Sequence, residues 1–202
     1  MAELSVVDVE DFTSGRLSRT DPEVARMLEV ALVTARQYCG WAVTPVIADD
    51  AVTLDGPDSR ILMLPTRKLV TLTSISENGT PLSLTSVSVT PGGLPGVSSR
   101  PAAVRKEASG RSGWWGSRYQ SIDVVMTHGY TEAEAADWRY AVLSMVDEMS
   151  QIQMPGELDL ISKKVDDVTY RWADRYSSAV QTALYSSSSV FNSYRLAPVD
   201  FF

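Results

Sequence analysis

The hydrophobic period of this chain changes along its length, and that change constrains the fold more than any single motif. Near Pro22 to Tyr38, Val24, Met27, Leu28, Ala31, Leu32, Ala35 and Tyr38 recur at spacings of three and four. That is the stripe of an amphipathic helix. Near Thr131 to Met149, Trp138, Ala141, Val142, Met145 and Met149 repeat the pattern. Between the two, short apolar runs alternate with turn-forming strings: Asp55-Gly56-Pro57-Asp58, Glu77-Asn78-Gly79-Thr80 and Pro91-Gly92-Gly93-Leu94-Pro95-Gly96. Such a chain folds as α+β. The expected architecture is a small helical bundle (residues 1–42 plus 128–202) with an inserted antiparallel β region (residues 43–127). The β region is a small sheet or barrel-like, with long loops at 85–101 and 109–119.

Local signals place the elements. Residues 1–19 read as a polar lead-in with one short turn around Val6 to Phe12. The first long helix starts at Thr20-Asp21-Pro22-Glu23, where either Thr20 caps with Glu23 closing a box, or Asp21 caps with Pro22 at the first helical position. Gly40 ends it in a left-handed conformation. Ala51 to Leu54, Ile61 to Leu64, Ala102 to Lys106 and Ser121 to Thr127 read as strands. In Leu69 to Ile75 the alternation sets Leu69, Thr71, Thr73 and Ile75 against Lys68, Val70, Leu72 and Ser74. Asn78-Gly79 is a hairpin turn that returns the chain through Pro81 to Leu84. Thr131 and Glu134 form the capping box of the second long helix. A linking segment with Lys163 and Lys164 precedes a strand over Val165 to Trp172, with Asp166-Asp167 as the turn before it. The last helix, Ser177 to Arg195, carries Val180, Leu184, Phe191 and Tyr194. The serines at 186–189 weaken it, because serine competes for backbone hydrogen bonds.

Composition narrows the function. The net charge is -7, which disfavours a sequence-specific DNA reader, since phosphates call for a basic surface. It is compatible with a lining that lets DNA pass, because an acidic wall repels the duplex. The single cysteine, Cys39, cannot form an internal disulfide, so no oxidising compartment is needed. Met1 to Asp11 shows no basic segment followed by an apolar one, so no signal peptide is expected. No uncharged apolar run reaches about 20 residues, so neither a transmembrane helix nor a membrane partner is expected.

Catalytic and metal-binding residue types are scarce. His128 and Cys39 are the only members of their kinds, and a nucleophile pair would also need an orienting acid. The plainer reading is a corner histidine and a buried thiol. Asp49, Asp50, Asp55 and Asp58 lack the ordered spacing of a calcium loop and read as solvated turns. Pro91 to Gly96 lacks the lysine and helix of a phosphate-binding loop. No catalytic residue, cofactor or metal is therefore assigned, and the chain is not expected to be an enzyme. Trp114-Trp115, set among glycines, either folds back over the sheet or docks on a neighbour. Arg111 and Arg118 flank the pair and could pair with acidic groups or touch passing DNA; surface solvation is the favoured reading for both. The interface candidates are Trp114, Trp115, Tyr185, Phe191, Tyr194, Arg195, Phe201 and Phe202.

Several strings together resemble the head-to-tail connector (adaptor) proteins of long-tailed bacteriophages, especially those infecting actinobacteria. They are Ala35-Arg36-Gln37-Tyr38-Cys39-Gly40-Trp41, Leu54-Asp55-Gly56-Pro57 with Ile61-Leu62-Met63-Leu64-Pro65, and Val70-Thr71-Leu72-Thr73-Ser74-Ile75 before Glu77-Asn78-Gly79. Val124-Val125-Met126-Thr127-His128-Gly129-Tyr130 and Val165-Asp166-Asp167-Val168-Thr169-Tyr170 continue it, and the terminal helix ends in Tyr194-Arg195. The resemblance runs over roughly residues 21–195. It departs at 85–120, which is longer or looser, and in the serine run of the last helix.

The resemblance implies a homo-oligomeric ring, commonly of twelve copies, in the portal–tail neck of a virion, with the chain in the host cytoplasm before assembly. It implies a portal protein above, a stopper or other neck protein below, and genomic DNA passing through the lumen without sequence-specific binding. It carries over no catalytic residue. A ring subunit needs two different side faces, and the segment Ser177 to Phe202 is the candidate reach toward the portal. The alternative from another class is a carbohydrate- or protein-binding virion decoration module that would use Trp114-Trp115.

Overall fold

A computed structural model describes residues 3–92, 100–152, 162–165, 168–171 and 175–196. The chain is α+β. It divides into two compact units: Cys39–Ala135 with Ser193–Phe202 (and Met1), and Ala2–Tyr38 with Ala136–Asn192.

The helical unit holds α1 (Val6–Phe12), α2 (Pro22–Cys39, its last residue in the other unit), α3 (Ala136–Ile152) and most of α4 (Arg175–Tyr194). The expected short turn at Val6 is a full helix, because Ser5 donates from both its backbone N–H and its hydroxyl to the Asp8 carboxylate. At α2 the Glu23 N–H donates to Asp21 Oδ1 at 2.9 Å, so Asp21 is the cap and Pro22 the first helical residue. Val24, Met27, Leu28, Ala31, Leu32 and Ala35 are buried, as their spacing predicts.

The start of α3 differs from expectation. Thr131 and Glu134 do make the reciprocal contacts of a capping box, but they close a separate turn, and α3 begins at Ala136. The buried stripe of α4 differs too. Ala179, Ala183, Ser187 and Phe191 are buried in the helical unit, while Val180 and Leu184 are half-buried. Small residues four apart let the helix lie close on its neighbours. The serines do not interrupt it, because Ser186 and Ser188 donate to carbonyls of their own helix and Ser186 also to Glu148. Lys163 and Lys164 lie in a strand rather than a linker: β8 (Ser162–Val165) pairs antiparallel with β9 (Val168–Arg171). The turn expected at Asp166-Asp167 lies outside the described residues.

Among the described residues the β unit holds two open antiparallel sheets and no closed barrel. Strands β1 (Ile47–Leu54), β3 (Leu69–Glu77), β4 (Thr80–Pro81) and β7 (Ile122–His128) order as β1-β7-β3-β4. Strands β2 (Ile61–Met63), β5 (Val87–Thr90) and β6 (Ala103–Lys106) order as β2-β6-β5. Gly40 has the expected positive φ of 79°. Asn78 and Gly79 form a two-residue turn with φ of 52° and 76°, but the return strand is only two residues long. The stretch at 85–101 is not wholly loop. A 3-10 turn at Leu84–Ser86 leads into β5, which pairs with β6 over four residues; residues 93–99 lie outside the described residues.

One core cluster joins both sheets: Leu62, Leu64 and Val104 from one, Leu69, Leu72, Ile75, Ile122, Val124 and Met126 from the other. Leu72 shares this core with Leu69 and Ile75, against the alternation expected for β3. Register shifts between Leu69 and Thr71 and between Leu72 and Ser74 rotate the strand locally, because each bulge inserts a residue and changes which side the next one faces. In β7, which reads cleanly from its sequence, Ile122, Val124 and Met126 all point inward.

Candidate interaction surface

The segment 109–119 is folded back on the β unit rather than projecting as a free loop. After a 3-10 turn at Gly110–Gly113, its backbone pairs with the Asp55–Ser59 stretch: Trp115 N–H donates to Ser59 O at 2.8 Å, and Gly56 N–H to Arg118 O at 2.9 Å. This approach is close. A Cβ at Gly56 would lie 1.9 Å from the Gly116 carbonyl oxygen, so only glycine fits.

The two tryptophans take opposite roles. Trp115 is fully buried in the core cluster, and its indole N–H donates to Val104 O at 3.3 Å. Trp114 remains 44% exposed. Lys106 holds the pair in place. Its ammonium lies 2.6 Å from Glu77 Oε2, donates to Trp114 O at 3.0 Å, and sits 4.5 Å above the Trp115 ring centroid. Glu77 Oε1 accepts the Gly116 N–H at 2.9 Å. Burial raises the Glu77 pKa, but the Lys106 hydrogen bond, the Gly116 N–H and the Lys106 charge outweigh it and leave it below the usual value.

Trp114, Trp115, Asp58, Arg60, Gly110 and Gly116 line an open groove of about 600 Å³. Beside it, the pairing of β2 with β6 sets Ile61 opposite Arg105 and Met63 opposite Ala103. Leu62 and Val104 turn inward from these strands, so Ile61 and Met63 face solvent, 46% and 43% exposed. Two exposed aliphatic residues two positions apart on a sheet face form a short apolar strip.

The other expected interface residues are dispersed. Tyr185 is 83% exposed on α4. Phe191 is buried in the helical unit against Tyr38 and Trp138. Tyr194 is buried in the β unit, edge-on to Tyr130 with centroids 5.4 Å apart. Neither Phe191 nor Tyr194 is a surface anchor in this structure, because each spends its ring on the fold. Arg195 is exposed, and Phe201 and Phe202 lie outside the described residues. Sequence reasoning missed Arg60, Arg105, Ile61 and Met63. The signal for the last two was present, since an apolar residue on each side of buried Leu62 leaves both faces of β2 apolar.

The chemistry-bearing singletons have structural partners. His128 is buried at the end of β7, with Nε2 3.0 Å from Asp50 Oδ2 and Trp41 stacked obliquely at 6.3 Å. Asp49 accepts the Thr73 hydroxyl and Asp55 the Gln120 N–H. Cys39 is a buried thiol outside any disulfide. Among the described residues, no group of three or more His, Cys, Asp or Glu side chains is placed to hold a metal ion, and no helix is long and apolar enough to cross a membrane.

No family model and no curated protein matches this sequence. Among solved structures the chain is similar in fold to one in the "Neck of native GTA particle computed with C12 symmetry", a phage-like gene transfer agent. The identity is 11% and the TM-score 0.52, over 98% of this chain and 94% of that one. The likeness is one of fold, and it extends over both units rather than one.

Proposed function

We propose that this chain is a structural virion protein: a head-to-tail connector that forms a ring in the neck beneath a portal, with DNA leaving through its lumen. The observation that carries this reading is the similarity in fold over 98% of the chain to a neck component of a twelve-fold symmetric particle. Other features agree with it. The candidate surface is an apolar strip with a groove beside it. The net charge of -7 disfavours trapping of the duplex inside a pore. Two different units on one chain supply two different side faces, as a head-to-tail ring contact requires.

The test is to locate the chain in mature particles by electron microscopy and to measure the native mass of the purified chain, alone and with portal. The reading expects a closed ring of about twelve copies at the neck. A chain found on the outer shell, or one that never joins a portal–neck complex, would overturn it.

A further inference from the structure

The chain's charge is unevenly divided between its units. The helical unit carries 15 acidic and 9 basic residues, the β unit 10 and 9. In the β unit, the side chains of exposed Arg60, Arg105 and Arg118 make no hydrogen bond or ion pair among the described residues, whereas Lys68 and Lys106 are both paired. Arg60 and Arg105 border the apolar strip, and Arg118 lies on the segment that carries Trp114. Arg60 precedes Ile61 and lines the groove with Trp114, Arg105 lies opposite Ile61, and Arg118 pairs its backbone with Gly56. The carboxylate lining the groove is that of Asp58.

The helical unit shows the opposite character at α1. Val7 and Asp11 are both exposed and lie one turn apart on the same helix face. Tyr140 of α3, also exposed, meets Phe12 at the end of α1 edge-on with centroids 5.2 Å apart. The neighbouring carboxylates are occupied, Asp8 by Ser5 and Arg139 and Glu10 by Arg19. Asp11 makes no side-chain hydrogen bond or ion pair among the described residues.

We propose that the Arg60–Arg105–Arg118 strip with Ile61, Met63 and Trp114 is a socket for a second copy of this chain, which inserts the α1 face of Val7 and Asp11 together with Tyr140 of α3. The inference rests on the ring reading above and names its contact. Each face is apolar at its centre with unpaired charge at its edge, and the charges are opposite. The faces lie on different units of the chain, so the contact is heterologous and propagates from copy to copy instead of closing as a dimer. The apolar centres supply affinity, and the arginine–aspartate edge sets register and selects the partner.

Charge reversal tests it on the full-length chain, with self-association followed by sedimentation and native mass. Arg105→Glu and Asp11→Arg should each weaken association at least about tenfold, while R105E/D11R on one chain should bring it back to near the wild-type value. Arg105→Gln should fall between, and circular dichroism melts of all variants should match the wild type. If the wild type assembles and R105E assembles equally well, the socket is wrong while the ring reading stands. If R105E assembles normally but loses binding to a short DNA duplex, the arginines face nucleic acid and the proposal is overturned. If the wild type forms no higher oligomer, alone or with portal, the ring reading falls and the socket with it.

Discussion

The Lys106 ammonium and the Glu77 carboxylate, 2.6 Å apart, fasten the tryptophan segment to the β unit. Both side chains are mostly buried, and each holds a second element: Lys106 the Trp114 carbonyl and Trp115 ring, Glu77 the Gly116 N–H. Removing one partner leaves the other charge uncompensated in a low-dielectric site, which costs more than the pair contributes net. Lys106→Met is therefore expected to destabilise the chain by about 1–3 kcal/mol, and a K106M/E77Q cycle to show coupling of about 1–2 kcal/mol. Denaturant titration with tryptophan fluorescence measures both, and zero coupling would mean the fastening lies elsewhere.

The two adjacent tryptophans should separate in a mutational test. Trp115→Ala removes a fully buried ring from the core shared by both sheets and is expected to cost about 3–5 kcal/mol. Trp114→Ala removes a half-exposed ring whose polar tie is through its backbone carbonyl, and stability should change by about 0.5 kcal/mol or less. Thermal melts of the two variants decide it. Similar losses for both would contradict the burial assignment.

Acid should weaken the β unit in a defined window. Glu134 is held down to about 2 by the Lys68 hydrogen bond and the Thr131 backbone and hydroxyl bonds, against an ordinary value of 4.5; Glu77 is lowered from the same value. A group whose folded pKa is depressed contributes stability that is complete above its unfolded pKa. That contribution is lost as pH falls through the folded value. Both carboxylates should thus add stability above about pH 4.5 and lose it as pH falls below that, Glu134 toward about pH 2. Glu134→Gln should flatten the fall in melting temperature across that window, and an unchanged slope would remove Glu134 from the account. Its side chain is 40% exposed, so the effect is modest and shrinks with added salt.

Hydrogen bonds within the β unit anchor the end of α4. Trp41 Nε1 donates to Tyr194 O at 2.7 Å, Leu196 N–H to Cys39 O at 2.8 Å, and the Arg67 guanidinium to Ser193 O. Trp41→Phe keeps most of the ring but orphans a buried carbonyl, at a cost of about 1–3 kcal/mol. Hydrogen exchange should then accelerate at the Leu196 amide more than at β7 amides. Equal acceleration at both sites would mean that the segment has no local anchor.

Much of the fold is legible in the residues because it rests on local rules. The stripes of α2 and α3, the Asn78-Gly79 turn and the inward side of β7 follow from side-chain period and turn chemistry alone. The candidate surface was legible only in part. Trp114-Trp115 stood out as a pair, yet the neighbouring sequence does not distinguish the two rings. The exposed strip on β2 depends on which strand lies beside it, and that pairing joins residues about forty positions apart, beyond the reach of any local window.

By itself the sequence determined the kind of chain: two amphipathic helices around a strand-rich middle, acidic, with one histidine and one cysteine. It could do so because period, capping and charge are properties of short windows. Only the tertiary structure decided that Leu72 joins Leu69 and Ile75, that Trp115 is core while Trp114 is surface, and that Tyr194 and Phe191 are structural. Those outcomes turn on bulges, strand partners and non-local contacts, where energy depends on what lies across the core and not on what lies next in the chain.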